Sequence, residues 1–450
     1  MKNHWCIDKS LTEIYNKIDN EALDGVLRPI VFIIASNRKF DLKGFEESLN
    51  NSLSGSKLTD TTNLLHLFIG HKSFIPLHKN MSKFLSIKRF KMGTKYGKSD
   101  DIGCIREFQS NMAREACEML ENPILIIMDD DLRFKSLFLE NKQVKLGYPY
   151  SYVHEIYNFH DNYQCDVALG GVTGSPPLPA TSCMRTFLQD FLSSEVPDKN
   201  SKIWHEPDYY YDLSETRINW DTWPIVQKPN SDRNNANYFL NQMFFTCSKN
   251  RPLILTELPS RKTPSETVIR GGNTVIYNPK YITTIEHPKL PRRGDSIWAV
   301  LALEKGAKIL KFSAPLYHDR GNGSYQHSSL RKRMSDDLFG ASLQRAMLQN
   351  LEDFENILEK RSEKQLSIIR DCLRLITLAD ETYPKKHGEI GTLWGLPKKE
   401  RNEFLKRARG SLTSLRNHMI KYTLDIEEKV NYGTILVKSL RYDLAKVMIK

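Results

Sequence analysis

No two of the seven cysteines stand in C-x-x-C spacing, and their number is odd. This argues against a zinc site. A disulfide framework is also unnecessary in a chain long enough to bury its own core. Reduced cysteines in a cytosolic protein, several of them core residues, are the simplest expectation. No run of about 18 apolar residues occurs, so no segment is expected to span a bilayer. Met1 to Leu27 lacks the apolar stretch of a secretory signal, so none is expected. The N-x-S/T triplets at Asn50, Asn80 and Asn322 then carry no meaning for glycosylation. Internal repeats and low-complexity tracts are lacking too.

The 450 residues are 40% hydrophobic and 26% charged. That balance excludes wholesale disorder, collagen-like chains and polytopic membrane proteins. The length suits about three domain-sized units, or one large domain with an appendage. Lysine and arginine total 65 against 54 acids, a net charge of +11. A basic excess suits nucleic acid, an anionic membrane surface or a phosphate-bearing small molecule. Composition alone does not choose among them.

Residues 1–28 read as a short helical lead-in, with Leu11, Ile14, Tyr15 and Ile18 at helical spacing. Pro29 to Ala35 is continuously apolar and β-branched, the pattern of a strand buried on both faces. It ends in the polar turn Ser36-Asn37-Arg38. A helix and a Ser/Thr-rich loop are expected over 42–62, and a second strand over Leu64 to Ile69. Residues 99–121 read as a helix, with Ile105, Phe108, Met112, Ala113, Ala116, Met119 and Leu120 at helical spacing. Ser99 and the two aspartates after it suit its start, and Asn122-Pro123 stops it. Ile124 to Met128 is a third apolar strand. Strands alternating with such a helix predict an α/β domain with a mostly parallel sheet.

Gly170-Gly171, Pro176-Pro177, Gly271-Gly272 and Gly294 punctuate a turn-rich middle. A helix over 296–305 and a strand over Ala307 to Phe312 follow. After about residue 326 glycine and proline nearly vanish, and helical spacing runs from Leu343 to Ile376, with more helix expected at 398–423 and 433–449. Residues 331–450 hold 24 basic against 17 acidic side chains, so most of the net charge sits in this helical region.

The sharpest feature is Asp129-Asp130-Asp131, directly after the third strand. Ligands of open α/β sheets gather at the carboxyl ends of strands. Three adjacent carboxylates repel one another there unless a cation neutralises them. Residues i and i+2 of an extended segment project to one side, so Asp129 and Asp131 can hold one Mg²⁺ or Mn²⁺. Such an ion can bridge a diphosphate and stabilise it as a leaving group. The bland alternative is an acidic turn capping the next segment.

This strand with its Asp-x-Asp resembles the metal-binding motif of nucleotide-sugar glycosyltransferases of the GT-A fold, family 2-like. Ser36-Asn37-Arg38 looks like the nucleotide-binding turn that opens that fold. Ala113-Arg114-Glu115 resembles the family's Ala-Arg-Asn, but departs at Glu115. Arg270-Gly271-Gly272-Asn273 resembles the glycine-rich segment lining donor and acceptor. Gly294-Asp295 stands where the family has Glu-Asp, whose second acid is the base of inverting enzymes. Pro315-Leu316-Tyr317-His318 resembles the segment with the late histidine near metal and diphosphate. The match covers roughly residues 29–325.

The resemblance implies a GT-A-like nucleotide-binding domain over 29–325, with a mostly parallel mixed sheet. An all-helical, basic region follows at 326–450. It implies Asp129, Asp131 and His318 as metal ligands and Asp295 as catalytic base. The donor would be bound by Ser36, Asn37, Arg38, Arg114, Asp130, Gly271, Gly272 and Asn273. The cofactor would be Mn²⁺ or Mg²⁺, and the donor a nucleoside-diphosphate sugar. The acceptor is a glycan, a lipid-linked glycan, a protein or a small molecule.

Several residues keep a second reading. Asp295 precedes a helix and could be only its cap. Arg114 could pair with an acid on its own helix, and His318 could be an ordinary loop histidine. Arg292-Arg293 is either a solvated basic turn or a phosphate clamp. Tyr209 to Tyr211, Trp220 and Trp223 suit packing under a long loop better than sugar stacking. The functional alternatives are a metal-dependent nucleotidyltransferase or nuclease, and a non-catalytic interaction protein on a degenerate scaffold. No nucleic acid is expected as partner, because the basic residues are interspersed with acids. The helical region is expected to pack on the α/β domain or to form a homo-oligomer. The remaining reading is peripheral contact with the inner face of a membrane by a cytoplasmic protein.

Overall fold

The structure is a computed structural model. It describes residues 14–16, 27–36, 40–53, 63–71, 84–93, 102–140, 143–175, 181, 184–185, 187–188, 222–224, 235–246, 253–255, 257–259, 263–269, 272–319, 327–387 and 397–447. The protein is α/β, with a mixed sheet and a helical C-terminal region.

Ile14–Asn16 is not helical but a short strand, β1. Ile14 and Tyr15 are good strand formers, and a parallel ladder to the strand around residue 146 outweighs a short helical periodicity, placing β1 at the sheet edge. The rest of the expected lead-in up to residue 26 lies outside the described residues.

The next elements follow the expected alternation, except that Ser86–Lys91 adds a strand the sequence pattern does not predict. They are β2 (Ile30–Ser36), α1 (Leu42–Leu53), β3 (Leu65–His71), β4 (Ser86–Lys91), α2 (Ile102–Met119) and β5 (Ile124–Met128). The four strands are parallel, with β2 between β3 and β5. From β2 the chain winds one way through α1 to β3 and β4. It then returns through α2 to β5 on the other side. The carboxyl ends of β2 and β5 therefore flank the point where the winding reverses, which is where open α/β sheets form a crevice.

Short strands β6 (Leu132–Arg133), β7 (Ser136–Glu140) and β8 (Gln143–Tyr148) come next, then α3 (Tyr152–Tyr163) and β9 (Val167–Gly174). Thr222–Pro224 is β10, Ala236–Asn241 is α4, Leu253–Leu255 is β11 and Asn273–Ile276 is β12. Strand β12 runs antiparallel between β5 and β9. After α5 (Lys280–Thr284) and α6 (Gly294–Glu304), β13 (Ile309–His318) lies parallel to β9 and antiparallel to β6. The helices α7 (His327–Leu348), α8 (Phe354–His387), α9 (Lys398–Leu424) and α10 (Ile426–Val447) complete the chain. Among the described residues, no helix is long and apolar enough to cross a membrane.

The two faces of β2 show the layering. Ile30, Phe32 and Ile34 pack with Phe45 and Leu49 of α1 and Tyr152 and Ile156 of α3. Val31, Ile33 and Ala35 join Met112 and Ala116 of α2 and Ile297 of α6 on the other face. That second core continues without a break into Leu338 of α7, Phe354 of α8 and Phe404 of α9. The composition change near residue 326 is therefore no gap in packing. Alternating side chains of buried parallel strands need apolar cover on both faces, and the C-terminal helices supply part of it.

Glu155 in the first turn of α3 gives a pH test. Burial pushes its carboxyl up from 4.5 to about 7. The helix N-terminus favours a charge by only about 0.3–1 kcal/mol, so desolvation wins. An acid whose folded pKa is raised favours the native state below the unfolded pKa. That stability is lost as pH rises from about 4.5 through 7. The loss should be at most about 3 kcal/mol. Urea titrations of Glu155→Gln at pH 5 and pH 8 should show this slope flattened and the protein stabilised at pH 8. An unchanged slope would show that Glu155 does not titrate in this range.

Candidate functional site

The acid triplet sits at the carboxyl end of β5, beside the end of β2. Ser36, the last residue of β2 and 1% exposed, donates its hydroxyl to Asp130 Oδ2. The turn is fixed on its other side by backbone bonds. Asp129 N–H donates to Gly272 O at 3.2 Å, and Asp319 N–H donates to Asp131 O at 3.0 Å. Gly272 has a φ of +150°, where a side chain is strained, and a Cβ there would lie 3.0 Å from Val172 Cγ1. Glycine thus lets β12 start directly beneath the acids.

Two carboxylates, Asp129 and Asp295, are answered by Arg106, in the first turns of α2. Its side chain is only 8% exposed and pairs with Asp129 through Nη2. The same nitrogen lies 4.0 Å from Asp295 Oδ2. Its Nη1 donates to Gln109 Oε1 at 2.6 Å, and Gln109 Nε2 donates to Met128 O at 3.0 Å. The helix is thereby tied to the strand that ends in Asp129. Burial alone would lower the Arg106 pKa, but the facing carboxylates of Asp129, Asp295 and Asp130 outweigh it and hold it above its ordinary value.

His318 closes the other flank. Its Nδ1 lies 2.7 Å from Ser175 O, which can only accept, so that nitrogen carries a proton. Nε2 lies 3.3 Å from Asp131 Oδ1. In the neutral ring, the Nε2 lone pair and a carboxylate oxygen are both donor atoms of the kind a divalent cation takes. Asp131 and His318 thus fit a divalent ion as two protein donors. Asp129 is engaged by Arg106. Among the described residues, no three His, Cys, Asp or Glu side chains gather as a ready metal cage.

Asp295 lies in the first turn of α6, and the helix's N-cap position belongs to Arg293. Its Oδ1 accepts from Ser296 N at 3.0 Å while Oδ2 faces Arg106. It therefore satisfies a helix terminus and also borders the site.

The remaining residues are dispersed. Asn37, Arg38 and Gly271 lie outside the described residues, as do Tyr209 to Tyr211 and Trp220. Asn273 is fully buried and donates to Tyr152 OH at 2.5 Å, directed into the core beside Gly170. Arg114 is about 12 Å along α2 from Arg106. It bonds Asn111 Oδ1 at 3.0 Å at an exposed position, away from the acids. Arg293 is not a solvated turn: its side chain is 11% exposed and pairs with Asp337.

Sequence reasoning missed Arg106. Its signal was its place on the buried stripe of α2, in line with Gln109, Ala113 and Ala116. A charge on an apolar stripe demands a partner. Compared with known proteins, the chain matches no family model, and no curated protein matches it.

Arg106→Met should destabilise the chain by about 1–3 kcal/mol in urea titrations, because it leaves the half-buried carboxylates of Asp129 and Asp295 without their shared cation. Asp129→Asn should cost less, since Asp295 still faces the guanidinium. Equal stability of Arg106→Met and the parent would show that the acids are not held by Arg106.

Proposed function

We propose that the chain is a metal-dependent glycosyltransferase acting on a nucleoside-diphosphate sugar, as its resemblance to GT-A enzymes implies. The observation that carries this reading is the Asp131 carboxylate facing His318 Nε2 at the carboxyl end of β5. These side chains would hold Mn²⁺ or Mg²⁺. The bound ion would stabilise negative charge on the departing nucleoside diphosphate.

The chain's own residues supply the rest. Asp130, held by Ser36 at the winding reversal, borders the place for ribose or sugar. Asp295 Oδ2 takes the proton of the acceptor hydroxyl, whose oxygen bonds the anomeric carbon as the bond to the diphosphate breaks. This inverts the anomeric centre. Arg106 keeps Asp129 and Asp295 at fixed separation, so that donor and base ends of the site stay in register. The cysteine pattern suits a reducing cytoplasm.

A panel of nucleotide sugars with Mn²⁺ should reveal release of a nucleoside diphosphate. Pyrophosphate or cleaved nucleic acid would instead support the nucleotidyltransferase or nuclease alternative. Asp131→Ala should abolish Mn²⁺-stimulated turnover. Asp295→Asn should remove transfer while donor binding stays nearly intact. In thermal melts, a saturating Mn²⁺–nucleotide pair at about 100 times its dissociation constant should add about 2.7 kcal/mol. No stabilisation by any such pair would favour a non-catalytic scaffold.

A further inference from the structure

The turn that carries Asp295 is held by the C-terminal helices. Arg293, two residues before Asp295, has φ +63° and ψ +8°, a left-handed conformation unfavourable for a residue with a Cβ. Its side chain makes a two-pronged contact with Asp337 of α7. Nε lies 2.9 Å from Oδ1 and Nη2 lies 3.3 Å from Oδ2. Both side chains are 11% exposed, so this pair is little screened by water. Gly340, one turn further along α7, presses on the same turn, where a Cβ would lie 2.8 Å from Arg292 O. On the opposite side the preceding loop rests on α2, the helix of Arg106. A Cβ at Gly103 would lie 2.6 Å from Leu290 O. The Arg293 carbonyl then accepts from Ile297 N at 2.9 Å and starts α6.

We propose that Asp337 is a positioning residue for Asp295: by gripping Arg293 it holds the turn left-handed and fixes the acid against Arg106. The catalytic part of this inference rests on the glycosyltransferase reading, whereas the lock itself does not. The grip makes the helical region part of the site's framework. It explains an arginine at a position where glycine would be unstrained.

The test uses the full-length chain with Asp337→Ala, alone and combined with Arg293→Gly. Glycine adopts the left-handed conformation without a side-chain anchor. Amide hydrogen exchange at Ser296 and Ile297 should quicken about ten-fold or more in Asp337→Ala and return toward the parent in the double variant. In nucleoside diphosphate release with Mn²⁺, kcat should fall about ten-fold or more with donor KM nearly unchanged, and recover in the double variant. If Asp337→Ala does not fold, Asp337→Asn, which keeps one acceptor, should show the same pattern at smaller size. Unchanged exchange in the single variant overturns the lock. Restored exchange without restored kcat overturns the positioning role. A parent chain that transfers no sugar overturns the functional reading, and the exchange measurements then decide the lock by themselves.

Discussion

One buried guanidinium organises the carboxyl end of the sheet. Without Arg106, Asp129 at the end of β5 and Asp295 at the start of α6 would lose the cation they share at a half-buried place. With it, three separate segments meet: the helix before the acids, the acids themselves and a helix more than 160 residues further on. Gln109 extends the network to the backbone, accepting from Arg106 and donating to the Ile33 and Met128 carbonyls of two adjacent strands. Such a cluster is not a large net source of stability, because desolvation offsets much of the attraction. Its contribution is specificity of placement: each charge has one arrangement in which it is satisfied.

The same logic ties the C-terminal helices to the site. They cover one face of the sheet, sharing a core with β2 and β5, and α7 reaches the turn before Asp295 through Asp337. Arg441 of α10 adds a second tie, its Nε 3.1 Å from Glu304 Oε2 at the end of α6. Helix α6 is thus anchored near both ends by helices that follow it. Much of the chain's basic excess is spread over those helices, and some of it is spent on such internal pairs. The net +11 is therefore a poor guide to what the protein binds.

The elements nearest the site were the most legible. The β5 run from Ile124 to Met128 coincides with its sequence pattern, and α2, α6 and β13 differ from theirs mainly at their ends. A buried parallel strand announces itself as a short β-branched run, and a helix as a stripe, because both depend on neighbours in the chain. Ile14–Asn16 departs from its helical pattern for the converse reason: its partner strand is about 130 residues away. In the site, the acid triplet was visible as a charge run after an apolar run. Arg106 was not singled out, although its place on the stripe of Met112 and Ala116 carried the clue. Arg114 drew notice through its neighbours in sequence, yet its side chain lies at an exposed position distant from the acids.

By itself the sequence determined the alternation of strands and helices, the position of the acids at a strand end and the helical character of the last hundred residues. These follow from local periodicity and from the cost of placing apolar or charged groups out of register. Only the tertiary structure decided which side chains answer those charges. Asp129 pairs with Arg106, Asp131 faces His318, Asn273 turns into the core and Arg293 is gripped by Asp337. The structure also decided that the helical region is a layer of the core, not an appendage. Each of these depends on groups brought together by chain winding. A charge in sequence declares that it needs a partner, but the fold alone determines which one lies within reach.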